Sequence, residues 1–305
     1  MRIYALWFLI WIFPTLVGPT PDFAATARRG VSHDREFWRV IVKDRFAIPD
    51  GQQAFPLLQE LGGYLGSTDP ELRDDLAYSI IDNWVRHREL SAAQLNSLAD
   101  EWRANLRVGI GESRTDTVFK RSFSVLCLAS LTRRELTTPF LGSQRYQAIL
   151  ADALEYLRQE RDLRGFDPAK GWIHATAHTA DLLANLAANP LLKAQDQATL
   201  LQAITLRLSS AHQIFSYGEQ DRLALIAASL VNRKDFDVMG FQRWLSDLNA
   251  DQKVWDQSPP REDMLQTFEN DSYMLQALAA HLSADPESPQ LAGANIAVLK
   301  VLQRR

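Results

Sequence analysis

After residue 33, apolar residues recur at helical spacing almost throughout, and few segments show the alternation of a half-buried strand. Two kinds of helix alternate. One kind is amphipathic with a charged face: residues 91–106, 144–160, 196–212 and 237–248, with 291–302 as a further example. Ser91 followed by Gln94 reads as a capping box at the start of the first. The other kind begins polar and becomes almost wholly apolar: residues 70–85, 116–131, 171–188, 220–231 and 267–282. A helix apolar on most sides has to be covered by neighbours, whereas an amphipathic helix covers one face and meets water with the other. Comparable points in the apolar set lie about 47 to 55 residues apart, the range of two-helix HEAT-like units. The pattern predicts an all-α fold of stacked helical hairpins, a HEAT-like α-solenoid or curved α/α array, with an inner and an outer layer. Helices over 34–46 and 52–65 start the stack.

Punctuation along the chain agrees. Asp69-Pro70 places a capping carboxylate before a proline at the first helical position. Asp116 is placed to cap the next inner helix or to face the groove. Asp167-Pro168 offers a start for the following helix one turn before Gly171, and Asn189-Pro190 ends it. No long Gly/Ser linker divides the chain, so residues 28–305 read as a single helical-repeat domain.

Composition refines this picture at the N-terminus. Arg2 precedes an apolar run over residues 3–13, then Pro14, Gly18 and Pro19, and Ala25-Thr26-Ala27 supplies an A-x-A arrangement. Residues 1–27 therefore read as a secretory signal peptide, which predicts a periplasmic or secreted protein with no stable membrane span after cleavage. The formal charge of −4 over 305 residues lacks the basic footprint of a nucleic-acid binder. Cys127, the only cysteine, lies in an apolar setting and reads as a buried, inert thiol.

The chemistry concentrates in residues 171–190. This segment has no Lys, Arg or Glu, yet carries His174, His178, Asp181 and Asn185. On a continuous helix these four fall within about 60° of one another, a narrow polar stripe on an otherwise apolar rod. Burying imidazole and carboxylate groups is unfavourable unless they are paired, so the stripe lines a groove or closes a polar network. His at i and i+4 is also a metal-ligand spacing, but Ala175 stands where a zinc protease carries Glu and no Cys is near, so neither metal nor cofactor is expected. The other inner helices also concentrate polar residues near their N-terminal ends: Asp116 and Arg121, then Asp221 and Arg222. The feeding loops add Trp172 and Glu219. Stacking in register would gather these groups beside the imidazole pair. Arg121 then lines the groove; the structural alternative is a bridge between repeats with Asp181 or Glu219.

Three motifs resemble a known family: Asp116-x-x-Phe119-x-Arg121-Ser122-Phe123-Ser124, Gly171-Trp172-x-His174-x-x-Ala177-His178-x-Ala180-Asp181, and Asp221-Arg222. Together they resemble the bacterial family catalogued as domain of unknown function 2785, over a span from Asp34 to the C-terminus. The resemblance implies that these positions form one site and implies no activity. From the residues alone, the expected role is a binding scaffold whose polar inner groove takes a peptide, protein or small polar ligand. The alternative is a hydrolase or lyase, carbohydrate-active in one version, using His174, His178 and Asp181 in acid–base chemistry.

Overall fold

In the computed structural model, inner and outer helices are built from the two sequence patterns. The structure describes residues 33–249, 254–256 and 258–305, so the expected signal peptide, residues 1–27, lies outside the described residues. From Asp34 onward the chain forms one compact unit. It opens with α1 (Arg35–Lys43), α2 (Ala54–Tyr64) and a π-helical segment (Glu71–Tyr78) running into α3 (Ser79–His87). The inner layer is this π segment with α3, then α5 (Thr117–Glu135), α7 (Ala175–Ala188), α9 (Glu219–Val231) and α11 (Glu262–Leu282). The outer layer is α4 (Ala92–Asn105), α6 (Gly142–Gln159), α8 (Ala194–Ser209), α10 (Val238–Asn249) and α12 (Pro289–Leu302). Consecutive inner helices lie against each other from α3 to α11, and α4, α6, α8 and α12 close hairpins with α5, α7, α9 and α11.

Burial follows the pattern that generated the prediction. In α5 every residue from Arg121 to Thr132 is buried. In α8 burial is confined to Gln197, Leu200, Leu201, Ile204, Arg207 and Leu208, one stripe at helical spacing. Ser91 and Gln94 form the reciprocal capping box. Asp69 Oδ1 accepts the N–H of Leu72 at 3.2 Å, and Asn189 ends α7. Cys127 is buried, and burial pushes its thiol pKa up, away from the reactive thiolate. Among the described residues, no helix is long and apolar enough to cross a membrane.

Two boundaries differ from expectation. Asp116 sits before α5, but its carboxylate caps nothing there and instead accepts from Lys170 Nζ at 2.6 and 2.8 Å. The histidine-bearing helix starts at Ala175, not at Gly171 or one turn earlier. Residues 166–172 form a short hairpin, with Phe166 opposite Trp172 and Asp167 opposite Gly171. The Asp167 carboxylate accepts from the N–H groups of Ala169 and Lys170 at 2.8 and 2.9 Å, so the signal read as a helix start is an Asx-type turn. Gly171 completes the turn-back at φ +75°, where a Cβ would meet Pro70 Cβ at 2.9 Å.

Candidate functional site

Ser122 and His178 meet where α5 crosses α7. Ser122 Oγ donates to the carbonyl of Ile173. With that proton committed, Oγ accepts from His178 Nδ1 at 2.8 Å, and the Ser122 carbonyl accepts from the same N–H at 3.2 Å. A carbonyl only accepts, so the imidazole hydrogen sits on Nδ1 and the lone pair on Nε2. The residue is 7% exposed, with Phe123 edge-on at 5.2 Å. Nε2 itself makes no hydrogen bond with the described residues, yet it is not sealed from solvent. Burial pushes the His178 pKa well below the ordinary range, and His174, Arg222 and Arg73 push the same way. The ring is therefore neutral, with one fixed tautomer and a free acceptor.

His174 leaves the predicted stripe. It caps α7 in the left-handed region, φ 50° and ψ 30°, a conformation that costs a non-glycine residue about 1–3 kcal/mol. Its surroundings hold it there. Nε2 donates to the Tyr217 carbonyl at 2.9 Å, with Glu219 Oε1 at 3.8 Å. One ring face stacks on Trp172 at 4.8 Å and 23°, and the His178 ring centroid is 5.6 Å away. The imidazoles thus meet across the first turn, where the His174 carbonyl accepts the His178 N–H at 2.9 Å, but His174 stands at the cap and not inside a continuous helix. Asn185, the last member of the stripe, donates to the Ala129 carbonyl at 2.9 Å and ties α7 to α5.

The hairpin turns this corner into an aromatic rim. Phe166, Trp172 and Tyr217 are 39%, 42% and 47% exposed, so the cluster faces solvent. Phe166 lies 5.1 Å from Trp172, and Tyr217 lies 6.2 Å from it, edge-on. The Tyr217 ring occupies the space that a Cβ at Gly165 would fill. Beneath the hairpin Arg73 is fully buried and donates to the carbonyls of Ser67, Lys170 and Trp172 at 2.8, 2.7 and 3.2 Å. Its guanidinium lies 4.1 Å from the Phe119 ring and 4.6 Å from the Phe123 ring. The π segment delivers this arginine, and such segments recur at functional sites.

Across the α7–α9 contact, Arg222 Nη1 donates to both carboxylate oxygens of Asp181 at 2.7 and 2.8 Å. Burial pushes the Asp181 carboxyl pKa up, and Arg222 opposes the shift. The pair sets a strong donor and a strong acceptor side by side on the inner layer. Glu219 is buried and accepts from the Tyr217 N–H at 2.9 Å, which fixes the loop under His174.

Other expected members are engaged elsewhere. Arg121 pairs with neither Asp181 nor Glu219. Its Nε and Nη2 donate to Glu160 at 2.7 and 3.1 Å, and Nη1 donates to the Val108 carbonyl and Thr117 Oγ1. The reason is position: Arg121 precedes Ser122 by about 100° around α5, so only one of the two can face His178. Asp221 lies 2.9 Å from His281 Nε2, toward α11. Asp116 is the exposed partner of Lys170. Phe166, Arg73 and Glu160 carry no signal in the sequence reading, and Ser122 enters it only through the family motif. Among the described residues, no group of three or more His, Cys, Asp and Glu side chains is placed to hold a metal ion.

A neutral buried histidine makes stability acid-sensitive, with a definite sign. Above about pH 6.5 the ring is neutral both folded and unfolded. Below it the unfolded chain takes up a proton that the fold refuses, so stability falls by about 1.4 kcal/mol per pH unit. Asp74 acts oppositely. Burial raises its carboxyl to about 6, so below that pH the fold keeps a proton that the unfolded chain has lost, and stability is gained. Urea unfolding of wild type and His178→Gln at pH 7.5, 6.5 and 5.5 isolates the histidine term. The stability gap between them should narrow by about 1 kcal/mol between the last two values, since the unfolded imidazole is already half protonated at pH 6.5. A gap independent of pH would mean that the folded imidazole titrates normally.

The fold and this corner define a class: an all-α array of helical hairpins in which the inner helices and one short β-hairpin assemble a His pair, an Asp–Arg pair and an aromatic cluster. Within that class, the chain belongs to the family described as protein of unknown function DUF2785, whose model matches residues 106–280 and so spans α5, α7 and α9. No curated protein and no solved structure matches the chain.

Proposed function

We propose that this protein is an exported binding scaffold that captures a small polar ligand at the corner formed by His174, His178, Asp181 and Arg222. The observation that carries the reading is His178 Nε2. A nine-tenths-buried imidazole with one nitrogen tied down and the other unpartnered at the surface is organised to accept a hydrogen bond from outside the chain. The Asp181–Arg222 pair adds an acceptor and a donor, and the exposed rings give apolar contact area. Binding is supported over hydrolysis or elimination because both carboxylates that could serve as a further acid are held by internal partners, Asp221 by His281 and Glu219 by the Tyr217 N–H beneath His174. Export is supported by the residue pattern of 1–27.

Thermal shift of the full chain against separate panels of amino acids, di- and tripeptides, mono- and disaccharides and nucleosides tests the reading. At least one class should raise Tm, and Asp181→Asn and Arg222→Met should abolish the rise while remaining folded by circular dichroism. Binding fails as the function if no class raises Tm, or if the variants respond like wild type. Recovery of the chain only from the cytoplasmic fraction would remove export from the proposal.

A further inference from the structure

The chemistry of this corner also selects among polar ligands, an inference that rests on the binding reading above. We infer that the ligand is a neutral saccharide, with a ring face laid against the aromatic rim and hydroxyl groups on His178 Nε2, Asp181 and Arg222.

Four observations narrow the class. His178 presents a lone pair and no proton at Nε2, so it recognises a donor and gains nothing from a carboxylate or phosphate oxygen. The charges bearing on that ring are Arg73 from the π segment, His174 from the cap of α7 and Arg222 from α9. Each of the three stands with a carboxylate, Asp74, Glu219 and Asp181 in turn, so an ammonium or guanidinium donor finds no spare counter-charge to offset its desolvation. An uncharged O–H or N–H donor satisfies both conditions.

The Asp181–Arg222 pair then asks for a group that accepts and donates at neighbouring atoms. Asp181 takes a hydrogen from one hydroxyl while Arg222 gives one to the next, a pattern that a vicinal diol supplies. Phe166, Trp172 and Tyr217 present exposed rings around the His174 that Trp172 stacks on, with the His178 ring 5.6 Å beyond it. A pyranose carries a face of C–H groups and an equatorial belt of hydroxyls, and so matches a rim of rings bordered by fixed polar atoms. A peptide amide also donates an uncharged N–H and accepts at its carbonyl, so the polar atoms alone admit it; the exposed ring faces favour the C–H face of a pyranose, and triglycine separates the two.

The full chain is titrated calorimetrically with methyl glucoside, N-acetylglucosamine, cellobiose and maltotriose, with triglycine, n-butylamine and acetate as controls. Histidine nitrogens are followed by long-range 1H–15N NMR. At least one saccharide should bind and move the His178 Nε2 resonance, while butylamine and acetate leave it in place. Trp172→Ala should weaken that binding by about tenfold, and Trp172→Phe, which keeps a ring and guards against a folding artefact, by about threefold or less. If triglycine binds with the same dependence on Trp172 and Asp181 while the saccharides do not, the saccharide assignment is overturned and the scaffold reading stands. If no probe binds or moves His178, both are overturned. Saccharide binding that Trp172→Ala leaves unchanged also overturns the assignment.

Discussion

Arg121→Met will lower the unfolding free energy by about 3–5 kcal/mol, the range for breaking a buried ion pair from one side. Arg121 is fully buried and Glu160 nearly so. The guanidinium grips both oxygens of Glu160, at 2.7 and 3.1 Å, and uses a third nitrogen for the Val108 carbonyl at 2.8 Å. Methionine fills much of the volume but leaves a carboxylate without its counter-charge and a carbonyl without its donor. Glu160 also accepts the N–H of Asp162 at 2.9 Å, and its own carbonyl accepts from Arg207 at 3.1 Å, so the disturbance reaches the loop after α6 and the outer helix α8. Removing both charges together is gentler, because no ion is stranded. Arg121→Met with Glu160→Met should therefore be more stable than the sum of the single effects by about 1–3 kcal/mol. Urea unfolding of the two singles and the double closes the cycle. Additive losses would show that the pair is uncoupled and that the single variants fail through packing alone. Since this network is separate from the His178 contacts, the folded Arg121→Met protein should bind as wild type does, which distinguishes a structural arginine from one that touches ligand.

The layered array was legible because its signal is repeated. Five inner segments and their amphipathic partners each carry the same alternation, and a helix such as α5, buried through Arg121–Thr132, has no other solution than to be covered. The candidate corner was legible only in part. Trp172, His174 and His178 meet ring to ring and Asp181 pairs with Arg222, yet the path differs from the expected helical stripe. Periodicity treats residues 171–188 as one rod, whereas Arg73 captures the carbonyls of Lys170 and Trp172 and holds the segment as a hairpin. That contact spans nearly a hundred positions and leaves no local trace. Nor does the π segment carrying Arg73 announce itself, since one i to i+5 register reads much like i to i+4 over eight residues. The fates of Arg121 and Asp221 were ambiguous for a simpler reason. Each had several oppositely charged groups at plausible stacking distance, and the rotation of one helix decides between them.

Arg73 should consequently prove as sensitive as Arg121, and in a way that lysine cannot repair. It is fully buried, with three carbonyls on its Nη atoms and aromatic rings 4.1 and 4.6 Å from its centre. A charged hydrogen bond contributes about 1.5–3 kcal/mol, and a desolvated cation over a ring about 2 kcal/mol. These terms overlap, and a net loss of about 3–4 kcal/mol is expected for Arg73→Met. Arg73→Lys keeps the charge but not the planar fork that reaches Ser67 on one side and Lys170 and Trp172 on the other, so its loss should be within about 1 kcal/mol of the methionine variant. The first consequence is local. Freed from Arg73, the hairpin lets go of Phe166 and Trp172, and His174 loses the stacking partner that helps hold it in the left-handed region. Hydrogen exchange should show residues 164–174 of both variants losing protection before the inner helices do, with ligand-induced thermal shifts falling in step. Full protection of that segment in Arg73→Lys would mean that charge alone anchors the hairpin and that the fork geometry is incidental.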